Sequence, residues 1–529
     1  MDIVYIGDGS EKHHSAETIG SKAANLARMA ALGLPVPPAF VLPVKHCAAI
    51  IAGAPHAERH IVDGLAEGIA LLEAATGKRF ADRRLPLLVS VRSGAAQSMP
   101  GMLDTLLDVG CTTAAVRGLI RMTGNPRFAW DCRRRFLEGY AQIVLGIAPA
   151  PFAARLSQLI VEEAADSERY LDGEALERLA AAHQTLIEDH DDLVPEDPMQ
   201  QLLEATRAVY RSWMSERAQT YRRLQHLEAL QGTAVTVQAM VYGNSGLSSA
   251  AGVAFSRDPS TGANQPVIDV LHDAQGEDVV SGRRTPQTNL DSSALESELR
   301  EVLKRLEAEF HDVQDIEFTV EDGKLWILQT RAAKRTPRAA LRFAIDMVHE
   351  NLISREEALR RLVDLDLDAL AYSRLVNPGE PAGHGIGTAG GVAVGRIALD
   401  SDSSKRLASG GDAVILARPD TSTADIAGFA AASGIVTATG GRTAHAALVA
   451  RQLGKPCIVG CASLAIDLAA RRARLGEATI EEGDWLTIDG DVGNIYLGQR
   501  EIVTERPTAD LDEVESWRAG PAVRSAARR

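Results

Sequence analysis

At 529 residues the chain is longer than one hydrophobic core usually organises, so two to four domains are expected. It is 45% apolar, 24% charged and 4% aromatic, and its 71 acidic residues against 56 basic ones give a formal charge of -15. That balance argues against nucleic acid or an anionic membrane surface as the main partner, and leaves room for small anionic ligands held by a local cluster of donors. The start, MDIVYIGDGSEKHH, has no basic segment followed by an apolar one, and no later stretch approaches the ~18 uninterrupted apolar residues of a membrane span. The expectation is a soluble cytoplasmic protein. Cysteines 47, 111, 132, 457 and 461 are few, odd in number and scattered, as buried thiols in a reducing compartment would be. Cys457 and Cys461 stand four apart without companion ligands, a poor zinc site.

In chain order, GSKAANLARMAALGL (20–34) carries apolar residues at helical spacing and closes on Gly33, a stop signal. LPVPPAFVLP turns into an extended segment, LPLLVSV (85–91) reads as a buried strand, and the loop RSGAAQSMPGM follows it. Residues 112–226 are helical in pattern, with charge-rich faces such as RFAWDCRRRFLEGYAQIVLGI. From Thr233 the chain turns β-rich: TAVTVQAMVYG, AGVAFSRDP and PVIDVLHD are short strands, and DIEFTVEDGKLWILQTR is a strand, a turn at 321–324 and a return strand. Residues 338–376 are amphipathic and helical, reaching up to about 55 Å at roughly 1.5 Å per residue, which reads as a spacer and not a core. NPGEPAGHGIGTAGGVAVG (377–395) is a flexible junction. Beyond it RIALD, DAVILA, GIVTAT, CIVG and WLTIDGDVGNIYLG alternate with short helices in an α/β pattern. The Arg/Ala-rich tail after Glu505 lacks apolar periodicity and reads as frayed.

Three constellations have residue types suited to chemistry. TATGGRTAHAALVARQLGKPC (437–457) reads as a strand-to-helix turn, with Gly440 and Gly441 as tight backbone, Thr443 as a cap and a helix closed by Gly454 and Pro456. His445 then sits in the first turn, where free amides and the helix dipole favour a phosphate and disfavour imidazolium. A neutral imidazole is a nucleophile; spacing alone also allows an ordinary helix-start histidine. On the hairpin, Asp315 and Glu317 share one face while Ile316 and Phe318 point to the core. Such a carboxylate pair, with Gln329 on the return strand, suits Mg2+ bridging nucleotide phosphates, and equally describes a solvated face. Lys22 near the first helix start and Arg92 leaving a strand into SGAAQSMPGM are cations beside a small-residue loop, as a triphosphate needs, although no GxxxxGK[ST] occurs and each alone reads as a surface charge.

Together, GSKAANLARMAALGLPVPPAF, VSVRSGAAQSMPGMLDTLLDVG, GTAVTVQAMVYGN, GVAFSRDPSTG, AQGEDVVSGRRTPQ, QDIEFTVEDGKLWILQTRAAKRT, ILARPDTSTADI and TGGRTAHAALVARQLGKPCIVGC resemble, in order, segments of the pyruvate, phosphate dikinase family. The likeness runs from about residue 3 to 500. It implies a multidomain α/β and α+β fold: an ATP-grasp-like nucleotide domain (1–337, helical insertion 112–226), a helical linker and hinge (338–384), a swivelling β/β/α phosphohistidine domain (385–505) and a tail (506–529). In that family the β-phosphoryl of ATP goes to a histidine and the γ-phosphoryl to inorganic phosphate, leaving AMP and pyrophosphate. His445 matches the histidine. Lys22, Arg92, Asp315, Glu317 and Gln329 match nucleotide and metal positions, with Mg2+ on Asp315 and Glu317 and Arg92 also in a catalytic role. Asp269 stands where the family usually has glutamate, Glu277 matches a second acid, Thr443 matches a regulatory phosphorylation site, and Ala444 replaces a residue often serine or cysteine.

Family members continue into a barrel that binds pyruvate or phosphoenolpyruvate, and no such segment follows here. The reading is therefore a phosphotransferase that uses ATP and inorganic phosphate to phosphorylate His445 and passes the group to pyruvate or another acceptor on a separate subunit; a homodimer is compatible with it. The alternatives are a subunit of a small-molecule dikinase of phenol or antibiotic type, a relative using water in place of phosphate, and a non-catalytic ATP-binding regulatory protein.

Overall fold

A computed structural model describes residues 3–7, 14–97, 99, 102–280, 284–420, 426–442 and 444–518, apart from the side chains of Val280, Ile426, His445 and Gln452. The chain divides into two compact units: Met1–Ser249 with Thr319–Thr330, and Ala250–Phe318 with Arg331–Arg529. The division does not fall at residue 337, because the hairpin 314–332 contributes to both units. No helix among the described residues is long and apolar enough to cross a membrane, and all five cysteines are buried and unbridged.

The first unit is built on an antiparallel five-stranded sheet in the order Val4–Ile6, Ala39–Leu42, Ala234–Ala239, Val89–Gly94, Thr105–Val109. Its central strand comes last in sequence, so 112–226 is an excursion between the edge strand Thr105–Val109 and the central strand. That excursion is helical as expected: Thr113–Thr123, Pro126–Tyr140, Ala150–Glu162, Gly173–Glu188, Pro198–Arg211 and Glu216–Leu224. Local chemistry sets the starts. Thr112, Asn125, Asp172, Asp197 and Ser215 each accept a first-turn N–H, and prolines occupy the first turn where no N–H is needed. The RRR run is not a solvated face. Arg133 and Arg134 are 3% and 4% exposed, ion-paired to Glu196 and to Asp131 and Glu168 respectively. The strand expected over 85–91 is broken at Leu88: Pro86–Leu87 pairs in parallel with Arg79–Phe80, while Val89–Gly94 joins the main sheet.

His183, on Gly173–Glu188, is fully buried against the edge of Phe152, with ring centroids 5.0 Å apart. Burial, helped by the Arg134 charge, pushes its pKa down to about 4. The unfolded chain takes up this proton near pH ~6.5 and the folded one only near 4, so the native state loses stability as pH falls through that window. The loss is on the order of 3 kcal/mol when complete. Urea unfolding at pH 7 and pH 4.5 should show a smaller acid-induced shift in His183→Leu than in the wild type; equal shifts would refute the assignment.

In the second unit, the strands Ala250–Phe255 and Val267–His272 pair antiparallel, and the hairpin shared by both units extends this sheet in the order Lys324–Ala332, Gln314–Glu321, Ala250–Phe255, Val267–His272. An eight-stranded mixed sheet follows, in the order Gly383–His384, Asn494–Leu497, Trp485–Asp489, Val392–Ala398, Val414–Arg418, Gly434–Thr437, Cys457–Val459, Ile386–Ala389. Its centre, Val392–Ala398 to Cys457–Val459, is parallel. Apolar clusters include Ile397, Ile415 and Ile488 in one, and Leu416, Phe429 and Ala447 in another. The junction 377–395 is less loose than its glycines imply, since it contains the strands Gly383–His384 and Ile386–Ala389 and the start of Val392–Ala398.

The expected spacer is not extended. Pro337–His349 and Arg355–Arg361 are separate helices, and Leu341, Ile345, Ala358 and Leu362 make a small core with Val514 and Trp517. These last two belong to the helix Thr508–Arg518, in the segment read as frayed. Burial of Trp517 and Val514, three apart on one helical face, outweighs weak periodicity. Just before the eight-stranded sheet and just after it, Tyr372–Leu375 and Ile502–Glu505 pair antiparallel.

Candidate functional site

In the first unit, Gly20 adopts φ 80° between the helices Ala16–Ile19 and Ser21–Ala31. A Cβ there would lie 2.2 Å from the Gly94 carbonyl oxygen, so only glycine lets the helix start meet the strand end. Ser21 N–H donates to Ala95 O at 2.9 Å. Lys22, half-buried in that first turn, is thereby brought to the strand that carries half-buried Arg92, whose Nε donates to Ser90 Oγ at 3.2 Å. Asn25 Nδ2 donates to Thr330 O at 2.9 Å, tying the same helix to the strand that holds Gln329. Three sequence-predicted residues thus converge.

In the second unit, Ile316 and Phe318 are buried as the alternation requires, yet Asp315 is only 3% exposed, so the reading as a solvated face fails for it. Asp315 Oδ2 accepts from Arg331 Nε at 2.8 Å, and Oδ1 is buried with no hydrogen-bond partner. Burial raises its pKa against the pull of Arg331, with Glu317 adding to the rise. A carboxylate oxygen short of a positive partner fits a cation, and half-buried Glu317 stands two residues along the strand. No group of three or more His, Cys, Asp or Glu suited to a metal occurs among the described residues. Two carboxylates alone would suit only an ion that takes its other ligands from elsewhere.

The histidine segment is pinned from two sides. Asp269, 1% exposed on Val267–His272, accepts from Arg442 N at 2.6 Å and from Arg442 Nη1 at 2.5 Å. A Cβ on Gly441 would lie 2.9 Å from Asp269 Oδ2 and 2.6 Å from Pro286 Cγ, so glycine is needed for this approach. From the other side Arg451, on His445–Leu453 and 2% exposed, donates from Nη2 to Arg442 O and from Nε to Thr388 O at 2.9 Å. Its guanidinium lies 5.4 Å from the Phe255 ring centroid, and burial lowers its pKa while Asp315 opposes that.

His445 is the first residue of its helix, which ends at Gly454 with φ 64° as expected. The N-cap is Ala444. Thr443 and the His445 side chain lie outside the described residues. Asp269, matched to a nucleotide contact, accepts from Arg442. Glu277 stands exposed on the short helix Gly276–Val280. Sequence reasoning passed over Arg331, Arg442 and Arg451. The available signals were an arginine two residues beyond Gln329, and so on its face of the strand, and a single arginine on the apolar face of HAALVARQL.

The AMP/ATP-binding domain model of pyruvate phosphate dikinase matches residues 57–296 and 289–352, and the mobile-domain model of PEP-utilising enzymes matches residues 410–493. The chain is 40% identical over 510 residues to the pyruvate, phosphate dikinase of Clostridium symbiosum, covering 94% of this chain and 58% of that protein. It is 39% identical over 537 residues to that of Rhizobium meliloti, covering 97% and 60%. To the chloroplastic protein of Flaveria pringlei it is 38% identical over 511 residues, covering 94% and 53%. The chain therefore spans somewhat over half the length of the curated relatives it matches.

Proposed function

Because the chain belongs to the pyruvate, phosphate dikinase family, we propose that it catalyses ATP- and phosphate-dependent phosphorylation of His445. In this reading 1–337 is an ATP-grasp-like nucleotide domain and 385–505 a swivelling phosphohistidine domain. Lys22, Arg92 and Gln329 hold the phosphates of ATP, and Asp269 and Glu277 are read as further nucleotide contacts. Asp315 and Glu317 hold Mg2+, which when bound would neutralise phosphate charge. A neutral His445 ring nitrogen forms a bond to the β-phosphorus as that phosphorus loses its bond to the AMP oxygen. The γ-phosphoryl goes to inorganic phosphate, so that AMP and pyrophosphate leave. The positive dipole end of the helix His445–Leu453 then favours the phosphoryl group. Thr443 is read as a site whose modification would block this step. The group passes onward to an acceptor, which is pyruvate in the named relatives' activity and is proposed as such here.

The observation that carries this reading is the pinning of the 440–442 turn by Asp269 and Arg451, in the same unit as the buried Asp315 and its neighbour Glu317. Incubation with Mg2+, phosphate and ATP labelled at the β-phosphorus should yield acid-labile, base-stable label on the protein, and none on His445→Asn. ATP binding without label would refute the reading in favour of a sensor. Turnover independent of phosphate would point to water as the second acceptor.

A further inference from the structure

Within the second unit, a cavity of about 440 Å3 opens beside the helices Pro337–His349 and Arg355–Arg361, a size in the range of small-molecule sites, roughly 300–1,000 Å3. Its walls include Ala340, Phe343, Ala344, Met347, Leu362 and Leu365. The polar part is unusual in sign: three guanidinium groups, of Arg335, Arg361 and Arg451, line it against two carboxylates, of Asp312 and Asp364.

The acids do not use up the donors. Asp312 is held by Arg335 through both Nη atoms at 2.7 and 3.1 Å, and Arg335 Nε donates to Ala333 O at 2.7 Å. That uses three of the five N–H groups of Arg335 and leaves two. Arg361 donates from Nε to Glu357 at 2.7 Å and from Nη1 to His311 O at 2.9 Å, and meets Asp312 only at 3.6 Å. Asp364 is exposed. Arg451, 2% exposed, keeps Nη1 without a hydrogen-bond partner. The Arg335 guanidinium lies 5.1 Å from the Phe343 ring centroid, joining cation and apolar wall.

We propose that this cavity binds a small organic carboxylate with an apolar body, its hydrocarbon against Phe343 and Ala344 and its carboxylate on the remaining N–H groups of Arg335 and Arg361. A single negative charge matches the surplus of one positive charge in the lining, and a forked guanidinium suits a carboxylate. Bound ligand would also touch Arg451, which holds the Arg442 carbonyl three residues before His445. The cavity shares Arg451 with the pinned turn, but the proposal does not depend on the phosphotransfer reading, and its test reads binding without activity.

Calorimetric titration of the whole chain with hexanoate, benzoate and uncharged hexanol is the experiment. Hexanoate or benzoate should bind at one site per chain, at least tenfold tighter than hexanol. Arg361→Gln should weaken binding roughly tenfold, and Ala344→Trp, which fills the cavity, should abolish it. No binding of either carboxylate, equal binding of hexanol, or unchanged affinity in Arg361→Gln would overturn the proposal. If Ala344→Trp does not fold, Arg361→Gln decides, since that side chain is 26% exposed and its removal leaves the core intact.

Discussion

Asp315→Asn is expected to reduce labelling of the chain by β-labelled ATP to below about one hundredth of wild type while leaving its urea unfolding nearly unchanged. Asparagine fills the same volume and keeps an oxygen for Arg331 Nε, now 2.8 Å away. What it loses is the charge on the buried, unpartnered Oδ1, the feature that fits a cation. Asp315→Ala should also lose the label, but with a stability cost of about 2–4 kcal/mol, because Arg331 Nε then has no acceptor and a void is left. The cost sits below that of a fully buried pair, since the Arg331 side chain is 34% exposed. Chemistry and structure thus separate in two variants. Label above a tenth of wild type in Asp315→Asn would remove this carboxylate from the phosphotransfer reading.

Arg451→Met should destabilise the second unit by about 2–4 kcal/mol and slow labelling at least tenfold. Methionine matches the stem but supplies no donor for Thr388 O or Arg442 O, both of which the guanidinium serves. Arg451→Lys should not rescue the rate, because an ammonium cannot span two carbonyls as a planar fork does. The decisive comparison is with Asp269→Asn, which weakens the opposite side of the same turn. If the two residues pin one element, their combined effect on labelling should fall short of the product of the single effects. Strictly multiplicative effects would show that they act separately.

What was legible in the sequence was local. The alternation around Ile316 and Phe318, the glycines at 440, 441 and 454 and the capping residues of the 112–226 helices each depend on neighbours a few positions away. What escaped depends on partners far along the chain. Whether Asp315 is solvated is decided by what covers its face, and Arg331 and Arg451 lie 16 and 136 residues further on. Nothing near Asp269 in the sequence announces its partner Arg442, a charge in a glycine turn. The helices after residue 337 read as a spacer because their apolar stripe finds its cover only at Val514 and Trp517. The helix Thr508–Arg518 was missed because two buried side chains are too few to make a period.

The pairing of Tyr372–Leu375 with Ile502–Glu505 bears on how the eight-stranded sheet can be carried. A body hung on one strand of chain is free to spin about its tether as well as swing from it. Here the incoming and outgoing strands are zipped into a ribbon, and both continue to helices that share one core around Leu341 and Trp517. Leu375 and Ile502 of the ribbon pack with Val392 and Tyr496 of the sheet, so the two are joined by side chains as well as by backbone. The chain thus enters and leaves the eight-stranded sheet at one place, through two paired strands and not a single tether.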